Sequence, residues 1–297
     1  AIIDKIGYGC GNMSFGIVLQ IISAYLLFFA TAVLNIPASL VGTAISISVI
    51  WDGITDPTMG YISDKTQTKR YGRRHLYLLI GTVGTALSNY MLWTISNQMS
   101  LNLKFGLLFT WLMLAKTFMT IYATPYTALG AELSSDYNER TSIQGFKTVF
   151  FILGLTFSSV AMYLFFNPTE EYPTGQLNPN AYKKMAIVSS LIVIVFGMAC
   201  YLATKKYIPL LPKYQKQDND NVSKVTSLFK GFLKILKIKD YRMVVLGYLF
   251  TNISSALLSN IGIHVFTYTF KLDNKVIAYI FGLLFLTSIL SQPLWMY

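Results

Sequence analysis

The chain alternates between long runs of apolar residues and short polar segments. A helix needs roughly 20 mostly apolar residues to cross the hydrocarbon core of a bilayer. Eight stretches meet this length: Ser14–Leu34, Leu40–Ile62, Leu76–Ile95, Phe105–Tyr126, Ile143–Phe166, Met185–Thr204, Met243–Phe270 and Val276–Tyr297. We predict a transmembrane helix in each, and therefore an all-α membrane protein.

The connecting segments fall into two groups by charge. Basic residues gather between spans two and three and in residues 205–242, which hold ten Lys or Arg. Residues 35–39, 96–104 and 167–184 hold few basic residues, and those lie at span edges. Cytoplasmic loops carry an excess of Lys and Arg. The asymmetry therefore predicts a multi-pass protein of the plasma or inner membrane with a cytoplasmic N-terminus.

The composition agrees with a chain embedded in lipid. Of its 297 residues 54% are hydrophobic and 12% are charged, whereas soluble domains carry about 25% charged residues. The net charge of +11 comes from the basic loops, so we expect no nucleic-acid partner. Cys10 and Cys200 form no disulfide or metal framework. We find no nucleophile–base pair, metal-ligand spacing or cofactor loop, and we expect neither an enzyme nor a cofactor other than a coupling ion.

The long basic segment divides the chain into three parts. Residues 1–204 hold six predicted spans, residues 205–242 form a cytoplasmic linker, and residues 243–297 hold two more spans. Within the linker, Ser223–Lys239 has the amphipathic pattern of a helix that lies on lipid headgroups. Six spans followed by a linker and further spans are typical of transporters with two six-helix halves. We therefore expect the chain to be trimmed at both ends, with about four helices of the second half absent.

The second predicted span carries two carboxylates. Asp52 and Asp56 stand four residues apart and therefore share one face of a helix. A carboxylate at mid-membrane costs on the order of 3 kcal/mol, and such residues usually face a cavity and serve transport. Two adjacent carboxylates need a counter-charge, which a proton or a metal ion would supply. The pair predicts a cation site, and the alternative is that it only caps or hydrogen-bonds neighbouring helices.

The loop after this span carries a second cluster of charge. It runs from Gly60 through Asp64 to Arg73 and Arg74. A Gly-x-x-x-Asp-Lys segment followed by Arg-Arg resembles the signature loop of major facilitator transporters. The resemblance implies a charge-relay latch between helices during the access switch, and ordinary topogenic charge is the alternative.

Three motifs together resemble one transporter family. They are Tyr8-Gly9-Cys10-Gly11, Trp51–Gly60, and Pro125–Leu133 followed by Glu139-Arg140-Thr141. In this order they resemble the glycoside–pentoside–hexuronide:cation symporters, which have the major facilitator fold. The resemblance implies that Asp52 and Asp56 bind the coupling sodium ion or proton. It also implies that Thr120 and Thr55 belong to the same site and that Lys147 contacts the substrate.

The chain departs from this family at four positions. Where galactoside-transporting members carry a Lys-Asp pair, an Asp and a Trp, this chain has Phe15, Gly16, Ala123 and Thr127. The ion-coupling part of the signature is kept and the galactoside-binding part is mostly lost. We expect a glycoside, pentoside or uronide substrate. The alternatives are a transporter of the same fold for a lysolipid, and a non-transporting membrane sensor or inactive fragment.

Lys116 is an unexpected charge inside the fourth span. Counted from the outer ends of their spans, Asp52 is the thirteenth residue and Lys116 the twelfth, so the two lie at nearly equal depth. We predict that Lys116 forms an ion pair with Asp52 or Asp56 and replaces part of the charge of the bound cation. One alternative is that this fixed internal cation makes the carrier less dependent on sodium and favours proton coupling or uniport. Another is that Lys116 contacts an anionic substrate.

Four further residues complete the predicted sites. Tyr25 and Asn252 are predicted substrate contacts, although helix–helix hydrogen bonding explains Asn252 equally well. Glu139 and Arg140, in the loop after span four, are predicted to belong to the gate. The sequence as a whole predicts a monomeric, cation-coupled secondary transporter of a small solute that works by alternating access.

Overall fold

The computed structural model describes residues 2–66, 68, 70–134, 136–211 and 238–291, which fold into nine α-helices. The helices are α1 Ile2–Gly9, α2 Gly11–Phe28, α3 Ala38–Lys65, α4 His75–Trp93, α5 Leu101–Glu132, α6 Tyr137–Phe165, α7 Pro179–Thr204, α8 Lys239–His264 and α9 Asn274–Ser291. The all-α prediction is confirmed. Residues 223–237 of the predicted amphipathic helix and the end of the last predicted span lie outside the described residues.

The first span begins earlier than predicted. Helices α1 and α2 form one apolar segment, Ile2–Val33, whereas the sequence pattern placed the start at Ser14. The charged residues of α1 have partners on other helices: Asp4 accepts a hydrogen bond from Tyr207 at 2.8 Å, and Lys5 lies 3.5 Å from Glu139. These contacts explain why the helix continues through residues that a hydropathy pattern excludes.

Helix α4 is a predicted span that contains several buried polar residues. Among the described residues, seven helical segments are long and apolar enough to cross a membrane, and α4 is not among them. Its polar residues are buried against α7, where the Asn89 amide donates to the hydroxyls of Ser189 and Ser190 at 2.9 Å each. Polar side chains of a membrane helix are tolerated where neighbouring helices satisfy them. A hydropathy average counts these residues as unfavourable although the fold satisfies them.

Aromatic rings fill the core around α2 at the end where α4 ends and α7 begins. Tyr182 lies at the centre, with its ring centroid 4.6 Å from Phe29, 4.8 Å from Phe166 and 5.9 Å from Trp93. All four side chains are almost fully buried. Rings at these separations add to the stabilisation from their buried area. The cluster joins α2, α4, α6 and α7 at this end of the bundle.

Two glycines bring α2 and α6 into close contact. A Cβ atom at Gly16 would lie 2.6 Å from the carbonyl oxygen of Phe151, and one at Gly154 would lie 2.6 Å from that of Met13. Small residues allow membrane helices to approach this closely. Gly16 therefore packs a helix, and this position has no room for a substrate-binding side chain.

Helices α2 and α8 end in the same way. Each continues into a π-helical turn, Phe29–Val33 after α2 and Val265–Thr269 after α8. Two residues beyond each turn the chain enters the left-handed region, at Asn35 (φ 53°) and Lys271 (φ 51°). An equivalent backbone hydrogen bond closes each turn. The Ile36 N–H donates to the carbonyl of Ala30 at 2.9 Å, and the Leu272 N–H donates to the carbonyl of Phe266 at 3.0 Å. Helices α3 and α9 then begin.

Contacts between the first six spans and the last two lie near these turns. The Thr31 hydroxyl is 3.1 Å from Nε2 of His264, and the Ser159 hydroxyl donates to the carbonyl of Ala278. In contrast, residues 239–258 of α8 are almost wholly exposed. Within the described residues, the two groups of helices therefore meet at one end of the bundle and separate towards the other.

Candidate ion and substrate site between α3 and α5

Helices α3 and α5 run parallel and contact each other through two polar pairs. Lys116 Nζ lies 2.8 Å from Asp52 Oδ2, and the Thr120 hydroxyl donates to Asp56 Oδ1 at 2.7 Å. Both pairs join residues 64 apart, so they lie one helical turn from each other on both helices. We call Asp52–Lys116 the first rung and Asp56–Thr120 the second rung.

The first rung is the ion pair that the sequence predicted from the depths of its two residues. The side chains of Lys116 and Asp52 are 16% and 28% exposed, so the pair is largely shielded but reaches the cavity. A lone charge at this depth is costly to bury, and each member of the pair lowers that cost for the other. The role of these residues in cation binding stays a prediction.

The two rungs lie on the wall of a cavity of about 600 Å³. The cavity is within the usual range for small-molecule sites. Besides the four rung residues it is lined by Phe15, Leu19, Met119, Ala123, Thr124, Thr127, Ala128 and Ala131. It extends along α5 towards Glu132, so it faces the end of the bundle at which α8 is exposed.

Thr55 lies beside the rungs but is not part of the cavity wall. Its hydroxyl donates to the carbonyl of Trp51 at 2.9 Å. One turn further on, Pro57 has no N–H, so the carbonyl of Gly53 lacks its usual helical partner. Gly53 lies in the sequence between the two rung carboxylates, and the Pro inside the span was a signal for this carbonyl that the sequence analysis did not use. The ion-site role predicted for Thr55 stays untested.

Lys147 contacts the cavity wall through Thr127. Its Nζ donates to the Thr127 hydroxyl at 3.1 Å and lies 5.4 Å from the centre of the Tyr126 ring. Thr127 lines the cavity, so Lys147 is one residue removed from it. The structure therefore places Lys147 beside the predicted substrate region, in contact with a residue of the cavity wall.

The other two predicted substrate contacts do not reach this cavity. Tyr25 is buried, and its hydroxyl donates to the carbonyl of Ser158 at 2.5 Å, because α2 turns this face towards α6. Asn252 lies on the exposed part of α8 and donates to the carbonyl of Tyr248 at 2.7 Å. Both therefore have structural hydrogen bonds at a distance from the rungs.

A charge cluster joins α3, α4 and α5 at the open end. Arg74 Nη2 lies 2.6 Å from Asp64 and 2.8 Å from Glu132, and Arg73 also pairs with Glu132. Arg74 further donates to the Ser63 hydroxyl at 2.7 Å. We call Asp64, Arg73, Arg74 and Glu132 the latch, and this end of the bundle the latch end. Glu132 is its central acceptor.

The remaining predicted gate residues lie outside the latch. Gly60 is in α3, one turn before Asp64, and a Cβ there would be 3.7 Å from the Thr124 side chain of α5. Glu139 lies 3.5 Å from Lys5, and Arg140 Nε donates to the carbonyl of Ser134 at 2.6 Å. The sequence grouped these residues in one gate, whereas the structure places Glu139 and Arg140 in separate contacts.

Trp51 is a site residue that the sequence analysis did not single out. Its indole N–H donates to the Thr117 hydroxyl at 2.9 Å, directly beside the first rung. The sequence could have indicated this contact, because Trp51 precedes Asp52 and Thr117 follows Lys116. Trp51 and Thr117 fix the relative position of α3 and α5 at the ion pair.

The helical fold with an ionic site on a cavity lined by α2, α3 and α5 defines a class of membrane transport protein. The profile of the MFS/sugar transport protein family matches residues 7–297. The chain therefore belongs to this family of transporters, which are not enzymes, and the resemblance to glycoside/cation symporters is confirmed.

The relatives are symporters by name. An uncharacterized symporter of Synechocystis sp. is 38% identical over 52% of this chain and 29% of its own length. A putative glycoside/cation symporter of Escherichia coli is 26% identical over 77% and 47%. A sodium-dependent lysophosphatidylcholine symporter of Danio rerio is 21% identical over 98% and 58%. The chain spans about half the length of the curated relatives it matches.

Proposed function

We propose that this protein is a cation-coupled symporter and that the two rungs bind the coupling cation. The observation that carries this proposal is the pair of carboxylates, Asp52 and Asp56, on the wall of a 600 Å³ cavity within the membrane-spanning bundle. Their oxygens and the Thr120 hydroxyl are the hard donors that a small cation prefers. Charges in such a position are rare in membrane helices and mark ion or substrate pathways.

The arrangement of the two groups of helices supports an alternating-access mechanism. The helices meet near the π-helical turns, and the cavity faces the latch end. Basic residues cluster at the latch end, including Arg73 and Arg74, so we propose that this end is cytoplasmic. In this orientation the conformation is inward-facing. Outward opening would separate Thr31 from His264 and close α8 over the cavity.

The proposed substrate is a hydroxylated solute such as a glycoside, pentoside or uronide. Three threonines and Lys116 present hydrogen-bonding groups to the cavity, and Lys147 donates a hydrogen bond to one of these threonines, Thr127. Carbohydrate hydroxyls would accept from and donate to such groups. The name of the relative from Escherichia coli, a putative glycoside/cation symporter, supports the same substrate class.

A lysolipid is the second candidate because half of the cavity lining is apolar. Phe15 and Leu19 of α2 and Met119 and Ala123 of α5 form this side of the cavity. Such a surface suits an acyl chain, whose burial is favourable at roughly 0.8 kcal/mol per CH₂. The similarity to a lysophosphatidylcholine symporter extends over 98% of the chain.

Uptake by the full chain in proteoliposomes tests the proposal. Labelled glycosides, pentosides, uronides and lysophosphatidylcholine are supplied with and without a sodium or proton gradient. We expect gradient-driven uptake of one class, and its loss in Asp52→Asn and in Asp56→Asn. Glu170→Gln is the control, since it neutralises an exposed carboxylate in the loop after α6. Unchanged coupling in both rung variants would contradict the proposal.

A further inference from the structure

Lys116 occupies a carboxylate that a bound metal ion would otherwise use. Its Nζ lies 2.8 Å from Asp52 Oδ2, which is a full charge-assisted hydrogen bond. The ammonium group is thus already in the position of a cation on the first rung. Only the second rung, where Asp56 accepts from a neutral hydroxyl, presents a carboxylate without a positive partner among the described cavity residues.

The charges that line the cavity are unequal. Among the residues that line the cavity, Asp52 and Asp56 contribute two negative charges and Lys116 one positive charge, while Lys147 donates a hydrogen bond to Thr127 of the cavity wall. A metal ion shared by both carboxylates would lie within a few ångströms of the ammonium group. At that separation and partial shielding the repulsion between like charges is strong. Sodium could bind both carboxylates only after Lys116 had left Asp52.

The surrounding contacts hold Lys116 in this position. The neighbouring residue, Thr117, accepts a hydrogen bond from Trp51, which is itself the neighbour of Asp52. Ala115 is fully buried and Met119 nearly so, which fixes the orientation of this part of α5. The lysine side chain is 16% exposed, so it lies along the helix surface rather than extending into open water.

We propose that Lys116 is a tethered cation that excludes sodium from this site. The inference rests on the proposed function and adds the choice of ion: the native protein is not driven by a sodium gradient. Without the ammonium group, Asp52, Asp56 and the Thr120 hydroxyl would form an anionic oxygen site with the hard donors that sodium requires. Lys116 thus sets the cation specificity.

Sodium binding to purified protein tests this inference without any transport step. We would compare the native chain with Lys116→Met, which keeps the length of the side chain and removes its charge. Binding is measured by equilibrium dialysis with radioactive sodium, and Tm is measured in sodium chloride against choline chloride. A ligand that binds only the folded state stabilises it by RT ln(1 + [L]/Kd), so tighter sodium binding gives a larger rise in Tm at a given sodium concentration. We expect the variant to bind sodium at least roughly tenfold more tightly than the native protein, a difference in Kd that both readouts resolve.

Three further variants complete the test. Lys116→Ala repeats the neutralisation if the Met variant is not monodisperse, and Lys116→Arg keeps the charge and should remain insensitive to sodium. Lys116→Met with Asp52→Asn should lose the gained binding. Equal sodium affinity in the native and neutral variants would overturn the inference, as would the absence of sodium binding from both neutral variants. Failure of the proposed function would instead appear as an absence of solute uptake under every gradient.

Discussion

At the scale of single residues, a charged side chain in the membrane-spanning helices depends on its immediate partner. The first rung places Lys116 against Asp52 with both side chains less than a third exposed, so each residue compensates the other. Removal of one member leaves a charge in a poorly solvated position, which is more destabilising than removal of both.

Asp52→Asn should therefore lower the stability of the protein by about 1–3 kcal/mol, because the ammonium group of Lys116 loses its charged partner. The double variant Asp52→Asn with Lys116→Met should recover at least half of this loss. Thermal or denaturant unfolding in detergent of the native, single and double variants gives the coupling energy. Additive effects of the two substitutions would contradict the ion pair.

At the scale of helices, close packing and charge clusters fix how neighbouring elements meet. The crossing of α2 and α6 depends on the absence of side chains at Gly16 and Gly154, and the latch joins three helices through one buried carboxylate. These contacts give two predictions, each with a control on the same chain.

Gly16→Ala should destabilise the protein by about 1–3 kcal/mol, because its methyl group would overlap the Phe151 carbonyl oxygen and force α2 and α6 apart. Gly106→Ala is the control: it lies inside α5, and a Cβ there meets no atom within 4 Å. The control should leave stability unchanged or raise it, since Ala favours a helix more than Gly does. The shift in Tm of both variants decides the comparison.

Glu132→Gln should cost more stability than Glu139→Gln. Glu132 accepts from two arginines and is 13% exposed, so its neutralisation weakens a buried network by about 2–4 kcal/mol. The Glu139 side chain is 53% exposed and pairs with Lys5 at 3.5 Å, and such surface pairs contribute about 0–1 kcal/mol. The unfolding midpoints of the two variants are measured side by side. If Glu139→Gln lowered the midpoint as much as Glu132→Gln or more, the latch would not be a structural contact between the helices.

At the scale of the whole molecule, the contacts between the first six spans and the last two define the conformational state. The His264 ring lies 4.9 Å from the Phe28 ring and hydrogen-bonds Thr31, at the end opposite the latch. The proposed alternating-access mechanism requires this contact to open.

A cross-link between Thr31→Cys and His264→Cys should therefore arrest transport. We expect a short bifunctional thiol reagent to join the two positions and to reduce uptake by more than about tenfold, since a locked gate removes one of the two states. Each single variant, treated with the same reagent, should retain its uptake, because the native Cys10 and Cys200 are buried. Cross-linked protein with normal uptake would show that this contact is not the gate.

The sequence predicted the helices well because an apolar run of membrane length has few stable structures other than a transmembrane helix. It also predicted the first rung, since Asp52 and Lys116 could be placed by depth alone on helices that run in the same direction. It misplaced Tyr25 and grouped Glu139 with the latch. In both cases the outcome depends on how a helix is rotated about its axis, which apolar periodicity does not specify when every face is hydrophobic.

The two π-helical turns described above are separated by 236 positions, residue for residue, from Phe29–Val33 to Val265–Thr269. The same shift takes Ala38, the first residue of α3, to Asn274, the first residue of α9. It also takes Asp52 to Ser288, a neutral residue. The same helix ending thus recurs at a fixed interval of 236 residues, and the position that corresponds to Asp52 in the second occurrence is uncharged. If Asp52 binds a cation as proposed, the charge acts directly on α3, and contacts such as Thr31–His264 and Ser159–Ala278 connect the first six spans to the last two.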